Sequence, residues 1–316
     1  MRLSNPINDF SVYCSGIAGA ENPHDISGGY IIESYARLGN TIGSFMTKRN
    51  VRKSIKYPKV PTIEQVRWIQ KRYDEFEDIL ESGWRGEEYF DMSSFAKYYL
   101  IQEFLLNRDM ELASFFIYKD NDSINKRFFA GPVWDMDGCR GGLIYNIPNC
   151  YAMRAGIISP EDSKSASFRS TTYKGVFHSL FKYKEFQNEV KNEYVNVFMP
   201  HINQLLGEEL DSITSVIQDD WHYDALLWPK EHPLKYYIED IKAFYNKRKA
   251  FFIMDIQMRD SDFYKVILDI PEENTYAYHL LEFHVKKGER LNIPSLEIDK
   301  EIQGNQTIHV NKQGKR

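Results

Sequence analysis

Residues 105–142 read LLNRDMELASFFIYKDNDSINKRFFAGPVWDMDGCRGG, and the rest of the chain is best read outward from them. Ser114–Lys119 and Arg127–Trp134 are rich in Phe, Ile, Tyr and Val, with polar Asp120-Asn121-Asp122-Ser123 between them. This pattern predicts two strands of a hairpin-like pair. Three carboxylates, Asp109, Asp135 and Asp137, fall at the expected ends of elements. If the segment at 135–137 is extended, Asp135 and Asp137 share a face about 7 Å apart while Met136 points away. Their repulsion at an effective dielectric near 20 is on the order of 2 kcal/mol, a cost that a divalent cation removes. Mg²⁺ or Mn²⁺ is the natural candidate, because hard cations favour carboxylate oxygen and Mg²⁺ normally combines one or two carboxylates with substrate phosphates. The alternative is a structural pair in which Arg140 neutralises one acid. Asp109 weighs against that alternative, since a carboxylate is disfavoured at the C-terminal end of a helix dipole and its placement there suggests a use.

On the N-terminal side, Tyr30–Ile32 after Gly28-Gly29, Ile42–Met46 and Ser54–Tyr57 predict a small antiparallel sheet, with a turn at Gly39-Asn40. A helix opens after Pro61 on a T-x-x-Q capping box, Thr62 to Gln65, and carries Val66, Ile69, Tyr73, Phe76 and Leu80 at helical spacing towards Gly83. A second helix is capped by Asp91 and runs through Phe95, Tyr98, Tyr99, Ile101, Phe104 and Leu105. Its apolar residues lie nearly all round, as in a central buried helix. Lys48, Arg49 and Arg52 are expected on a solvated edge.

On the C-terminal side, residues 147–175 show no period, as in a long loop that acts as a lid or a solvated excursion. A long helix over Phe186–Leu205, a shorter one over Leu210–Ile217 and a third over Ile238–Ile256 complete a helical bundle. Near Arg259–Asp262 the texture becomes alternating, which places a boundary there. The expected organisation is α+β: a β-rich segment over 1–60, a helical unit over 61–258 and a β-rich extension over 259–316 with a tail frayed from Gln303.

The composition is that of an ordinary globular chain, 42% hydrophobic and 27% charged over 316 residues, with material for about two domains. A net charge of −5 gives no electrostatic footprint for nucleic acid. No run reaches the ~18 apolar residues of a membrane span, and the opening MRLSNPINDF lacks the pattern of a secretory signal. Cys14, Cys139 and Cys150 form no C-x-x-C pair and are expected as thiols, and the eight His show no metal-ligand spacing.

Several motifs together resemble the spore coat protein H (CotH) kinase family: N-x-D at 107–109, the aromatic strand ending at Tyr118, and PVWDMDG at 132–138, supported by GGYIIE at 28–33 and IKYP at 55–58. The likeness spans roughly residues 25–258. It implies a protein-kinase-like C-lobe, a helical bundle with short antiparallel strands, that uses ATP with Mg²⁺ or Mn²⁺ to phosphorylate Ser or Thr of a protein substrate. By the resemblance, Asp109 is the catalytic-loop acid that orients or deprotonates the acceptor hydroxyl. Asp135 is the metal-binding acid, and Asp137 an auxiliary one. A spore-coat or cell-surface home is implied in the same way.

The chain departs from the kinase pattern in two places. Ser114 stands where kinase catalytic loops carry a metal-binding Asn, and neither a Gly-rich loop nor a V-A-I-K-like strand precedes it. The expectation is therefore a form truncated at the N-terminal lobe. A non-catalytic coat or surface protein is the first alternative. A metal-dependent nucleotide-sugar transferase is the second, and it requires Rossmann-like alternation before residue 135.

Overall fold

The computed structural model describes residues 25–34, 43–49, 51–82, 86–107, 114–136, 139–141, 175–257, 263–269, 280–293 and 296–310. Strands β1 (Tyr30–Ser34), β2 (Ser44–Met46) and β3 (Arg52–Tyr57) lead into helices α1 (Ile63–Ser82) and α2 (Met92–Phe104). Strands β4 (Phe115–Lys119) and β5 (Phe128–Ala130) follow. These strands form one five-stranded sheet in the order β2-β3-β1-β4-β5, with every ladder antiparallel. The fold is thus α+β, and the expected hairpin of β4 and β5 is present with β1 inserted on its other side.

The two helix starts form as their sequences require. Thr62 Oγ1 accepts from the Gln65 amide at 3.2 Å while Gln65 Oε1 accepts from the Thr62 amide at 2.8 Å, a reciprocal capping box. Asp91 Oδ1 accepts from the Ser94 amide at 2.8 Å. Helix α2 buries Phe95, Ala96, Tyr98, Tyr99, Leu100, Gln102, Glu103 and Phe104, as an all-round apolar helix must.

One face of the sheet packs on these helices. Tyr30, Ile32 and Ser34 of β1 share that face with Lys53 and Ile55 of β3 and with Phe115, Ile117 and Lys119 of β4, since alternate residues point the same way and the registers align them. Phe76 lies at the centre of an aromatic cluster, with Tyr73, Phe90, Phe95 and Phe128 all within 5.8 Å of it between ring centroids.

Strand β5 is shorter than its composition suggests. Gly131 turns out of the extended region at φ 128°, and Pro132 has no amide to extend the ladder, so the strand ends at Ala130. At the far end of the sheet, Lys119 is fully buried. Its Nζ donates to Ser27 O and Asp120 O, both at 2.9 Å, and pairs with Asp122, which pins residues 25–29 to the β4–β5 turn. Burial depresses its pKa against the opposing pull of Asp122.

The C-terminal half begins with α3 (Val176–Leu180) and α4 (Lys184–Glu193). A wide turn of π type over Tyr194–Phe198 joins α4 to α5 (Met199–Gln204), and a second over Leu205–Glu209 leads to α6 (Leu210–Leu227). Helix α6 runs ten residues beyond the expected Ile217, because no Gly or Pro interrupts it before Pro229. Helix α7 (Leu234–Gln257) follows. Strands β6 (Phe263–Asp269), β7 (Leu280–Lys286) and β10 (Gln306–His309) form a three-stranded sheet, and β8 (Arg290–Ile293) pairs with β9 (Ile298–Glu301). Residues 306–309, expected to fray, pair in parallel with β6 and gain a ladder there. The proposed boundary at 259–262, the turn at Gly39-Asn40 and the loop before residue 175 lie outside the described residues. Among the described residues no helix is long and apolar enough to cross a membrane.

Candidate functional site

Of the three sequence-predicted acids, Asp135 lies within the described residues, whereas Asp109 and Asp137 lie outside them. The surroundings of Asp135 are built from the ends of α2, β4 and β5. Helix α2 stops at Phe104, and Leu106 takes a left-handed backbone at φ 56°. That turn brings the Asn107 amide back onto Gln102 O at 2.9 Å, while its Nδ2 donates to Gln102 Oε1 at 2.8 Å. Asn107 is thus buried and held at both ends, immediately before Arg108 and Asp109. Its Nδ2 also lies 3.6 Å from Met136 Sδ, so Asn107 of N-x-D meets Met136 of D-M-D although 29 residues separate them.

Asp135 is exposed and has a left-handed backbone at φ 58°. This corrects the extended backbone expected at Asp135, since the strand has already ended at Ala130. Ser114, also left-handed at φ 56°, donates its hydroxyl to Asp135 Oδ2 at 3.1 Å. The position that departs from the kinase pattern therefore touches the proposed metal acid. One donated hydrogen bond leaves most acceptor positions of an exposed carboxylate open, a state that fits a single hard cation shared with substrate phosphates. Among the described residues no three His, Cys, Asp or Glu cluster as metal ligands.

Among the described residues, Arg140 is held by the end of α2 and by α7. Its amide donates to Leu105 O at 2.8 Å, its guanidinium reaches Asp240 Oδ2 at 2.7 Å, and its Cζ stands 4.8 Å from the Phe244 ring centroid. Arg140 is drawn to α7 because two partners there, one anionic and one aromatic, suit a planar cation.

Lys53 and Glu77 are polar residues that sequence reasoning missed. Lys53 is 2% exposed on β3, its Nζ donating to Ser34 Oγ at 2.5 Å and lying 4.8 Å from the Tyr73 ring centroid. Glu77 is buried on α1. Burial pushes its carboxyl above the usual range, opposed by the charges of Lys53 and Arg49. Lys53 pairs in register with Ser34, and Ser34 with Phe115, the neighbour of Ser114. Two strand spacings, roughly 10 Å, thus separate the Lys53 backbone from the strand that carries Ser114. The available signal was the apolar context of S-I-K-Y after Lys53 together with a Glu on the apolar stripe of α1. Arg49 is likewise no solvated edge residue: Nη2 donates to Glu77 O at 2.8 Å and Nη1 to Ser179 Oγ at 3.2 Å.

With this geometry in hand, comparison with known families gives a match to the CotH kinase protein model over residues 30–252, most of the chain. The chain belongs to the CotH kinase protein family. No curated protein matches it.

Proposed function

We propose that the chain is a protein kinase of CotH type that moves a phosphoryl group from a nucleotide to a Ser or Thr hydroxyl of a protein. The observation that carries this reading is the meeting of the two acid-bearing segments, through Ser114 with Asp135 and Asn107 with Met136. A site of this kind needs a rigid acid for a cation beside a rigid acid for the acceptor hydroxyl. Mg²⁺ or Mn²⁺ bound with ATP supplies neutralisation of the phosphate charge.

In this reading Asp135 holds the cation, with its carboxylate oriented by Ser114, and Asp109 orients or deprotonates the acceptor hydroxyl. Asp137 is auxiliary. Lys53 and Glu77 have the chemistry of the strand lysine that kinases place against nucleotide phosphates and of the helix glutamate that steadies it, which makes them candidates for that part. The kinase-like C-lobe is the fold we assign to 61–258, with 1–60 contributing the sheet and 259–316 a β-rich extension. A spore-coat or cell-surface setting is part of this reading, and family membership supports it.

A second reading, a coat or surface protein that keeps the fold without turnover, is favoured by Ser114 in place of Asn. A nucleotide-sugar transferase loses its support, because the sheet before residue 135 is antiparallel rather than Rossmann-like. Calorimetric titration of Mn²⁺ with ATP present, on wild type and Asp135→Asn, separates the two remaining readings. Binding heat that vanishes in the variant supports the kinase, and no heat in wild type supports the structural protein.

A further inference from the structure

Helix α7 presents one stripe of side chains to the end of α2 and to Arg140. Asp240 and Phe244 grip Arg140, Tyr245 stacks on Phe104 at 5.5 Å between centroids, and Arg248 reaches the end of α2. Arg248 and Glu103 are both fully buried, 2.8 Å apart. Arg248 Nη2 also donates to Glu103 O at 2.5 Å and Nε to Phe104 O at 3.3 Å. Residues 240, 244, 245 and 248 lie at helical i, i+4, i+5 and i+8, so one rigid helix face serves both contacts.

Arg140 is the link that ties the segment after Asp135 to this face. It has a left-handed backbone at φ 59°, and its amide is bonded to Leu105 O, two residues before Asn107. The same residue thus touches the α2 end through its backbone and α7 through its guanidinium. An ordinary exposed ion pair contributes little stability. Here the pair adds a ring contact and a fixed backbone bond, and what it fixes is the spacing between two chain segments.

We propose that Arg140 is a positioning residue, latched by Asp240 and Phe244, that sets the distance between Asn107 at the end of α2 and Asp135. The proposal rests on reading Asp109 and Asp135 as the phosphoryl-transfer site. It adds α7, more than a hundred residues downstream, as the element that holds this distance.

The test is Asp240→Asn, Asp240→Glu, Arg140→Gln and the double variant Arg140→Gln/Asp240→Asn in the full chain. In Asp240→Asn, exchange of the Arg140 amide with deuterium accelerates about tenfold while Tm moves by only about 2 °C, because an exposed pair is removed. In the same variant kcat falls about tenfold with KM for nucleotide within about twofold, the signature of lost positioning rather than lost binding. Asp240→Glu restores most of the rate. The double variant is no slower than Arg140→Gln, since both changes break one latch. Unchanged amide exchange in Asp240→Asn, or losses that add in the double variant, overturn the latch. A wild-type chain that transfers no phosphate overturns the functional reading instead, and the exchange measurement then decides the latch by itself.

Discussion

The hydroxyl of Ser114 donates to Oδ2 of Asp135 at 3.1 Å, and both residues hold left-handed backbones, φ 56° and 58°. The bond joins the start of β4 to the segment that follows β5. Asp135→Asn should abolish phosphoryl transfer, a loss of at least about 100-fold, with Tm nearly unchanged because the carboxylate is exposed. Ser114→Ala removes one hydrogen bond and should cost about 1 kcal/mol of stability. Ser114→Asn should fold as well as wild type, since Asn tolerates the left-handed region better than Ser, and should add a second metal-binding event to the calorimetric titration. Rates with Mg²⁺-nucleotide and thermal melts check all three.

The Glu103–Arg248 pair is fully buried, so removing one partner leaves the other's charge buried without this counter-charge. Arg248→Met should destabilise by about 3–5 kcal/mol in urea unfolding. The double variant Glu103→Leu/Arg248→Met should recover a good part of that loss, because it leaves no lone buried charge. A double variant as unstable as the single one would place the stabilisation in the carbonyl contacts of Arg248 instead.

At Gly28 a Cβ would stand 2.0 Å from the Asn121 amide nitrogen and 2.1 Å from Asn121 Cα. Both atoms are backbone in the turn held by Lys119, so neither can swing aside. Gly28→Ala should cost about 3 kcal/mol by overpacking, read as a lowered urea midpoint.

Glu77 has a carboxyl pKa raised by burial, its largest influence, against the pull of Lys53 and Arg49. The folded state therefore binds that proton more tightly than the unfolded chain. The stability this contributes is complete below the unfolded value of 4.5 and is lost as pH rises through the raised folded value. Compared with Glu77→Gln, wild type should be relatively most stable near pH 4 and should lose that advantage as pH is raised. Urea midpoints of both proteins from pH 4 to pH 7.5 test the sign. If Lys53 and Glu77 serve the nucleotide, transfer by Glu77→Gln should also fall at pH 7.5.

The elements were legible wherever a local rule acts alone. The T-x-x-Q box, the Asp91 cap and the β4 and β5 runs each announce themselves within about six residues, because capping and alternation are short-range effects. The limits of β5 and α6 were less legible, since Gly131-Pro132 stops one before its apolar run ends and nothing stops the other until Pro229. Lys53 and Glu77 gave no motif. A lone Lys in a strand and a lone Glu in a helix come within reach of each other's charge only once the helix lies across the sheet.

By itself the sequence determined that this chain is α+β and which family's motifs it carries, and it pointed to residues 107–137 as the proposed site. Those properties reside in residue types and short spacings. Only the tertiary structure decided that Ser114 meets Asp135, that Asn107 meets Met136, and that Arg140 meets Asp240 and Phe244. Each of these contacts joins residues from 21 to 104 positions apart, and such distances close only when strands and helices bury their apolar faces together.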